Sequence, residues 1–407
     1  MLKSIIHLQF INMKAIQMSK IVYLSHTYLP HMEGGALYTH IIAKNAVENG
    51  YAVEIITRKR DNINTLLVET TKKNINVRYI DKFQFKFGKF YRVIDKILIY
   101  NILLSKEKLC DAKLIHCIST NFFFPSVYYL KKRYNVPLVI SITEDLWNKP
   151  QSSLLAKTFF KYQKWQLKIA LKHSDVITVP NETGFEYLNK KYPEYAQKLK
   201  LIPGFIETDI FNLSIDADDL KKTYAKHIII LVPQRLVLNK GVDIAIKALV
   251  PVVKKFPDVK MLIVGKGPLE KTLRNIVNEL NLMDYVEFLG ELDHYTGMPK
   301  YYALADIIIV PSRSEAGQPS NAAAEPMAMK KPVVISEACD IKGVLGESVL
   351  KFKTADVNDL ASKIIYLLEN PDIVEKLGKR ARKIILERYS LSNFLNAYDE
   401  IYDSLLS

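Results

Sequence analysis

The strongest constraint on the fold is an alternation that runs through this chain twice: a short apolar run, a turn, a helix-period run, then another short apolar run. The first pass starts after Lys20 with Ile21 to Ser25, the turn Glu33-Gly34-Gly35, a helical run from Ala36 to Asn49, Gly50, and Val53 to Thr57. Leu114 to Cys117, Leu138 to Ile142 and Val176 to Val179 continue it. The second pass has His227 to Val232, a helical run from Val242 to Lys255, Lys260 to Val264, and the turn Gly265-Lys266-Gly267-Pro268. Val286 to Phe288, Ile307 to Val310 and Val333 to Ile335 complete it. Strands separated by helices form open parallel sheets, so the fold class is α/β. A length of 407 residues suits two such domains. The pattern predicts Rossmann-like domains over 20–210 and 211–385, joined where turn residues and acids cluster between Pro203 and Asp219. Ligands of such sheets bind beyond the carboxyl ends of the strands, so the two domains are expected to face each other across one cleft.

Residues 1–19 stand outside the alternation. Their apolar residues are broken by Lys3, His7, Asn12, Lys14 and Gln17, with no small-residue cleavage site, so they read as an extension rather than a signal peptide. Met13 and Met18 leave an internal start open. Composition serves mainly to exclude. At 49% hydrophobic and 25% charged residues the chain is neither collagen-like, disordered nor coiled-coil. Its three cysteines, Cys110, Cys117 and Cys339, form no CxxC pair, which argues against a disulfide framework or structural zinc and fits a reducing, cytoplasmic setting. No run reaches the roughly 18 to 20 apolar residues that span a bilayer.

Charge is uneven along the chain. Residues 1–210 carry 31 Lys and Arg against 17 Asp and Glu, whereas residues 211–407 carry 26 of each, so the whole net charge of +14 lies in the first half. A one-sided field suits an anionic partner or, more plainly, a lysine-rich solvated face. Between Lys82 and Lys96, five basic residues interleave with Phe83, Phe85, Phe87, Phe90 and Tyr91. Such a stretch suits an anionic membrane interface, single-stranded nucleic acid, or simple core packing of its rings; no nucleic-acid motif accompanies it.

Two segments carry chemistry. Arg235 and Lys240 follow a strand and open a helix, so two cations meet a helix N-terminus, a place for a diphosphate; they also read as two exposed basic side chains in a loop. Farther on, the strand ending at Val310 delivers Glu315 into a Gly/Pro/Asn/Ser loop, and an alanine-rich helix then carries Glu325 on its early turns. A carboxylate there can accept hydrogen bonds from sugar or ribose hydroxyls, or serve as a cap or a solvated acid.

Taken with Ile202 to Phe211, Val264 to Pro268 and Glu325-Pro326-Met327-Ala328, these motifs resemble the retaining glycosyltransferases of family 4, which have the GT-B fold. The resemblance covers most of the chain. It implies that Arg235 and Lys240 bind the donor diphosphate and neutralise the leaving group without a metal ion, and that Glu325 holds the ribose hydroxyls. It implies that the loop from Glu315 through Gln318 to Asn321 meets the sugar, that Gly34 and Gly35 lie against phosphate and acceptor, and that Gly265 and Gly267 admit the nucleotide. By the same resemblance residues 386–407, helical in spacing from Tyr389 to Leu406, form a terminal helix that returns to the first domain. No cofactor is expected beyond the nucleotide sugar itself.

The departures fall near the chemistry. Nine residues rather than seven separate Glu315 from Glu325, and Thr143 stands where the family places a histidine, with Glu144 and Asp145 as substitutes. Gln234 replaces a common glycine and Gly204 a common asparagine. The expectation is a metal-independent retaining hexosyltransferase, moving sugar from a UDP- or GDP-sugar to a saccharide or lipid-linked acceptor in cell-envelope glycan or glycolipid synthesis. It would be cytoplasmic and peripheral to the membrane through residues 82–96, with no nucleic-acid partner. A nucleotide-sugar epimerase and a non-catalytic binder of glycan or partner are the alternatives.

Overall fold

The computed structural model describes residues 19–25, 28, 34–58, 75–80, 108–109, 111–118, 124–143, 154–315, 319–340 and 342–407. Two compact units emerge. The first takes in residues 1–180, 184–202 and 395–407, the second 181–183 and 203–394. Residues 82–96, Glu144, Asp145 and Gln318, and the extension up to residue 18, lie outside the described residues.

The first unit contains β1 (Lys20–Ser25), α1 (Gly34–Glu48), β2 (Ala52–Arg58), β3 (Ile75–Ile80), β4 (Ala112–Ile118), α2 (Phe124–Tyr134), β5 (Leu138–Ser141), α3 (Leu154–His173), β6 (Val176–Val179), α4 (Glu182–Lys191) and β7 (Leu199–Leu201). Its seven strands lie in the order β3-β2-β1-β4-β5-β6-β7, all parallel. The continuous apolar runs foreseen in the sequence become strands buried along nearly their whole length, because helices cover both faces of a parallel sheet. Edge strands β3 and β7 are short or only partly buried, so their sequences lack that signal.

The second unit contains α5 (Asp218–Thr223), β8 (Ile228–Pro233), α6 (Val242–Lys255), β9 (Val259–Val264), α7 (Glu270–Glu279), β10 (Val286–Gly290), α8 (Met298–Leu304), β11 (Ile307–Val310), α9 (Asn321–Ala328), β12 (Val333–Ser336), β13 (Leu350–Phe352), α10 (Val357–Glu369) and α11 (Pro371–Arg388). Its parallel sheet runs β10-β9-β8-β11-β12-β13. The unit takes up the chain at 203 rather than at 211, because the Ile206 amide donates to the Tyr389 carbonyl at 2.7 Å and Ile206 bridges Ser390. A last helix, α12 (Leu391–Leu406), starts in the second unit, and its residues from 395 onward belong to the first. There Tyr398 and Tyr402 are fully buried. No described helix is long and apolar enough to cross a membrane.

Candidate functional site

In the second sheet the strand order reverses between neighbours β8 and β11, and a crevice opens beyond the carboxyl ends of strands at such a point. The structure has a cavity of about 270 Å³ there, to which the turn after β8 contributes Gln234 and Arg235, the turn after β9 contributes Gly265, and α9 contributes Asn321 and Glu325. Four residues singled out in the sequence, Arg235, Gly265, Asn321 and Glu325, therefore line one cavity.

Glu325 is the least ordinary group in it. Only 3% of the residue is exposed. Its Oε2 accepts a hydrogen bond from the Tyr302 hydroxyl at 3.0 Å, while Oε1 has no hydrogen-bond partner among the described residues, His294 Nε2 standing 3.7 Å away. Burial pushes its carboxyl up to about 8, opposed by Tyr302 and Asn321 and reinforced by the charge of Glu207. His294 packs against Phe211, with ring centres 5.3 Å apart, and burial lowers its imidazole below the usual range although Asp293 opposes this. A buried carboxylate with an open lone pair calls for hydroxyl donors, because leaving it unpaired carries the full desolvation penalty.

The Arg235 side chain is exposed and makes no hydrogen bond or ion pair among the described residues, so its charge is available to an anion in the cavity. Its neighbour Gln234 is 4% exposed, and its Nε2 also lacks a partner. Gly265 holds φ at +135°, and a Cβ there would come within 2.2 Å of the Gln234 carbonyl oxygen. Gly267 lies outside the cavity, where a Cβ would meet the Leu236 carbonyl oxygen at 2.3 Å. Both glycines let the β9 turn lie on the Gln234 to Leu236 backbone, so what they visibly admit is protein.

Lys240 and Glu315 meet each other instead of the cavity. They form an ion pair with side chains 13% and 12% exposed, and Glu315 also accepts from the Ser312 hydroxyl at 2.8 Å. Arg313 holds Asp243 with two hydrogen bonds of 2.8 Å, fixing the same loop to α6. The cations at 235 and 240 thus differ in state: one is open and one is paired.

In the first unit Gly34 and Gly35 open α1, where the Gly35 carbonyl accepts from Thr39 Oγ1 at 2.7 Å. Thr143 is half-buried two residues beyond β5. Close to it in sequence is a polar cluster with no local signature. His116 bonds Ser141 Oγ through Nε2 and Tyr402 through Nδ1, both at 2.7 Å, and Tyr398 bonds Ser141 and Thr178 at 2.8 Å. Burial lowers the His116 imidazole to about 3, so it is neutral. These groups satisfy one another and fix α12.

Tyr302, His294, Gln234 and Glu207 are the second-unit residues that sequence reasoning did not assign to the site. Gln234 carried a signal as a departure from glycine, and Glu207 as part of the motif from Ile202 to Phe211.

Family models match nearly the whole chain: one described as Glycosyltransferase Family 4 over residues 32–210 and one described as Glycosyl transferases group 1 over residues 216–384. Among curated proteins, an alpha-D-kanosaminyltransferase of Streptomyces kanamyceticus is 23% identical over 284 residues, 66% of this chain and 70% of its own. A glycosyltransferase from Rickettsia africae superposes with a TM-score of 0.71 at 21% identity, over 96% of this chain and 99% of that one. Anabaena HepE, solved with UDP and glucose, superposes with a TM-score of 0.68 at 18% identity, over 95% and 100% of the two chains.

Proposed function

The chain belongs to the group 1, family 4 glycosyltransferases of the GT-B fold, and from that premise we propose that it transfers a hexose, with retention and without a metal ion, from a nucleoside diphosphate sugar to a saccharide or lipid-linked acceptor. The setting is the cytoplasmic synthesis of cell-envelope glycans or glycolipids. The observation that carries this reading is the Glu325 carboxylate, buried with one oxygen unpartnered in a cavity that also presents the open cation Arg235. A nucleoside diphosphate matches the pair, its ribose diol donating to Glu325 and its diphosphate meeting Arg235.

In the transfer, negative charge builds on the departing diphosphate, and a cation already in place stabilises that charge more than it stabilises the bound donor. The acceptor hydroxyl loses its proton to the departing phosphate oxygen on the same face, so the protein supplies position and charge rather than a nucleophile. Lys240 serves by holding Glu315, which keeps the loop between β11 and α9 against α6. UDP is the first donor base to test, since HepE was solved with it.

The test is calorimetric titration of UDP, GDP and ADP and their glucose conjugates, in EDTA, into the wild type and into Arg235→Ala and Glu325→Gln. Micromolar binding of one nucleotide, weakened by both changes, is expected. NMR of the product should show an anomeric configuration matching the donor. Absence of binding by all six, or binding only with added divalent metal, overturns the reading.

A further inference from the structure

Helix α3 has a one-sided chemistry for which the sugar transfer has no use. Its 20 residues include five lysines and no Asp or Glu. Among its described side chains the exposed ones are Lys157, Lys161, Trp165, Lys168 and Lys172. At 3.6 residues per turn these five fall within an arc of about 80°. The opposite face, including Phe160, Leu167, Ala170 and Leu171, is buried. Trp165 is 52% exposed, midway along the stripe and at one edge of its arc, its ring centre 5.7 Å from that of Tyr162.

A solvated helix face ordinarily mixes both signs, which lowers self-repulsion and adds ion pairs. Here no acid on the helix relieves the lysines. Charge of the same sign continues beside it: α2 ends in Lys132 and Arg133, next to a Lys131 that is paired with Asp175, and α4 ends in Lys190 and Lys191. Lys172, Lys131 and Lys198 all act on the His173 imidazole at the end of α3, which burial already lowers. This is the half of the chain that holds the whole excess of +14.

We propose that the exposed face of α3 docks the protein on an anionic lipid bilayer, with the four exposed lysines at the headgroup phosphates and Trp165 in the interface. Each such lysine adds a Coulombic increment near an anionic surface, and a tryptophan ring places its apolar body and its N–H in the layer where both are satisfied. A single-stranded nucleic acid is a poorer fit, since strand binding uses a groove with successive stacking rings, and a convex helix with one exposed tryptophan offers neither. The surface is independent of the nucleotide cavity, so this inference stands or falls separately from the transferase reading.

The chain has two tryptophans, Trp147 and Trp165, so Trp147→Phe leaves Trp165 as sole reporter in the full-length protein. Co-sedimentation is measured with vesicles of equal parts phosphatidylglycerol and phosphatidylcholine, and with phosphatidylcholine alone. Binding to the anionic vesicles only is expected, weakening with salt, with a blue shift of Trp165 emission and its quenching by brominated lipid. Neutralising Lys157, Lys161, Lys168 and Lys172 to glutamine should weaken binding about fivefold per lysine, two to three orders of magnitude together, while circular dichroism stays unchanged. Equal binding by the quadruple variant, unchanged Trp165 emission on bound vesicles, no binding at low salt, or tighter binding of polyuridine than of vesicles at one salt concentration each overturns the proposal. The emission and quenching measurements need no lysine variant, so they decide even if that variant misfolds.

Discussion

Replacing Glu325 with glutamine separates what the carboxylate does to the fold from what it does for a ligand. Burial holds the group at about 8 against an ordinary 4.5. Since the folded value is raised, the native state binds this proton more tightly than the unfolded chain does. The contribution to stability is fully present below about pH 4.5 and is lost as the pH climbs toward 8. Each unit corresponds to about 1.4 kcal/mol, so as the unfolded chain's carboxyl ionises the unliganded second unit loses about 3 kcal/mol of this contribution by pH 7 and at most about 5 kcal/mol above pH 8. Glutamine keeps the shape and an acceptor for Tyr302 while removing the titration. For a unit of this size about 1 kcal/mol shifts Tm by roughly 2 to 4 °C, so the variant should melt roughly 6 to 12 °C higher at pH 7. Ligand binding should move the other way. A ribose diol selects the ionised carboxylate, so the wild-type Kd for a UDP-sugar should improve about tenfold per pH unit between pH 6 and 8 and then level off. The variant should bind weakly and without slope. Scanning calorimetry and titration calorimetry from pH 5 to 8.5 read both effects, and comparison with the variant removes the titration of His294 and other groups common to the two proteins. A variant that melts below the wild type at pH 8 would refute the reasoning, because it would mean that Glu325 has a partner that compensates its burial.

Arg235→Ala should leave unfolding within about 0.5 kcal/mol of wild type, since the side chain has no partner among the described residues. The same change should weaken UDP about 10- to 100-fold while sparing uridine, as calorimetry can show. Lys240→Met and Glu315→Gln should each destabilise by about 2 kcal/mol in denaturant titrations. The double variant should cost less than the sum, a coupling that a diphosphate-binding role for Lys240 alone would not produce. Gly265→Ala places a Cβ 2.2 Å from the Gln234 carbonyl oxygen at φ +135°, so a loss of more than about 2 kcal/mol is expected, together with loss of nucleotide binding. Tyr398→Phe strips a bond from both Ser141 and Thr178, so guanidinium unfolding should show a loss of about 1 to 3 kcal/mol without change in nucleotide affinity.

What the sequence disclosed and what it withheld divide along one physical line. Strands such as Ile307–Val310 and helices such as Val242–Lys255 were legible because burial imposes a period within a single element. The placement of Arg235, Asn321 and Glu325 around one cavity was legible because the turn after a strand's carboxyl end and the helix that follows are a local pattern with a fixed place in the fold. The strands β3, β7 and β13 were not, as they lie at or near sheet edges and only part of each is buried. State was less legible still than place. That Lys240 is already claimed depends on Glu315, 75 residues away, and the neutral His116 depends on burial in a cluster that includes Tyr402, 286 residues away. Glu325 is pushed toward its protonated form by the apolar bulk around it and by Glu207, none of which its own helix reveals. A motif therefore locates a charge without stating whether that charge is free. In this protein that distinction sets Arg235, whose side chain is open to an anion, apart from Lys240, which is ion-paired with Glu315.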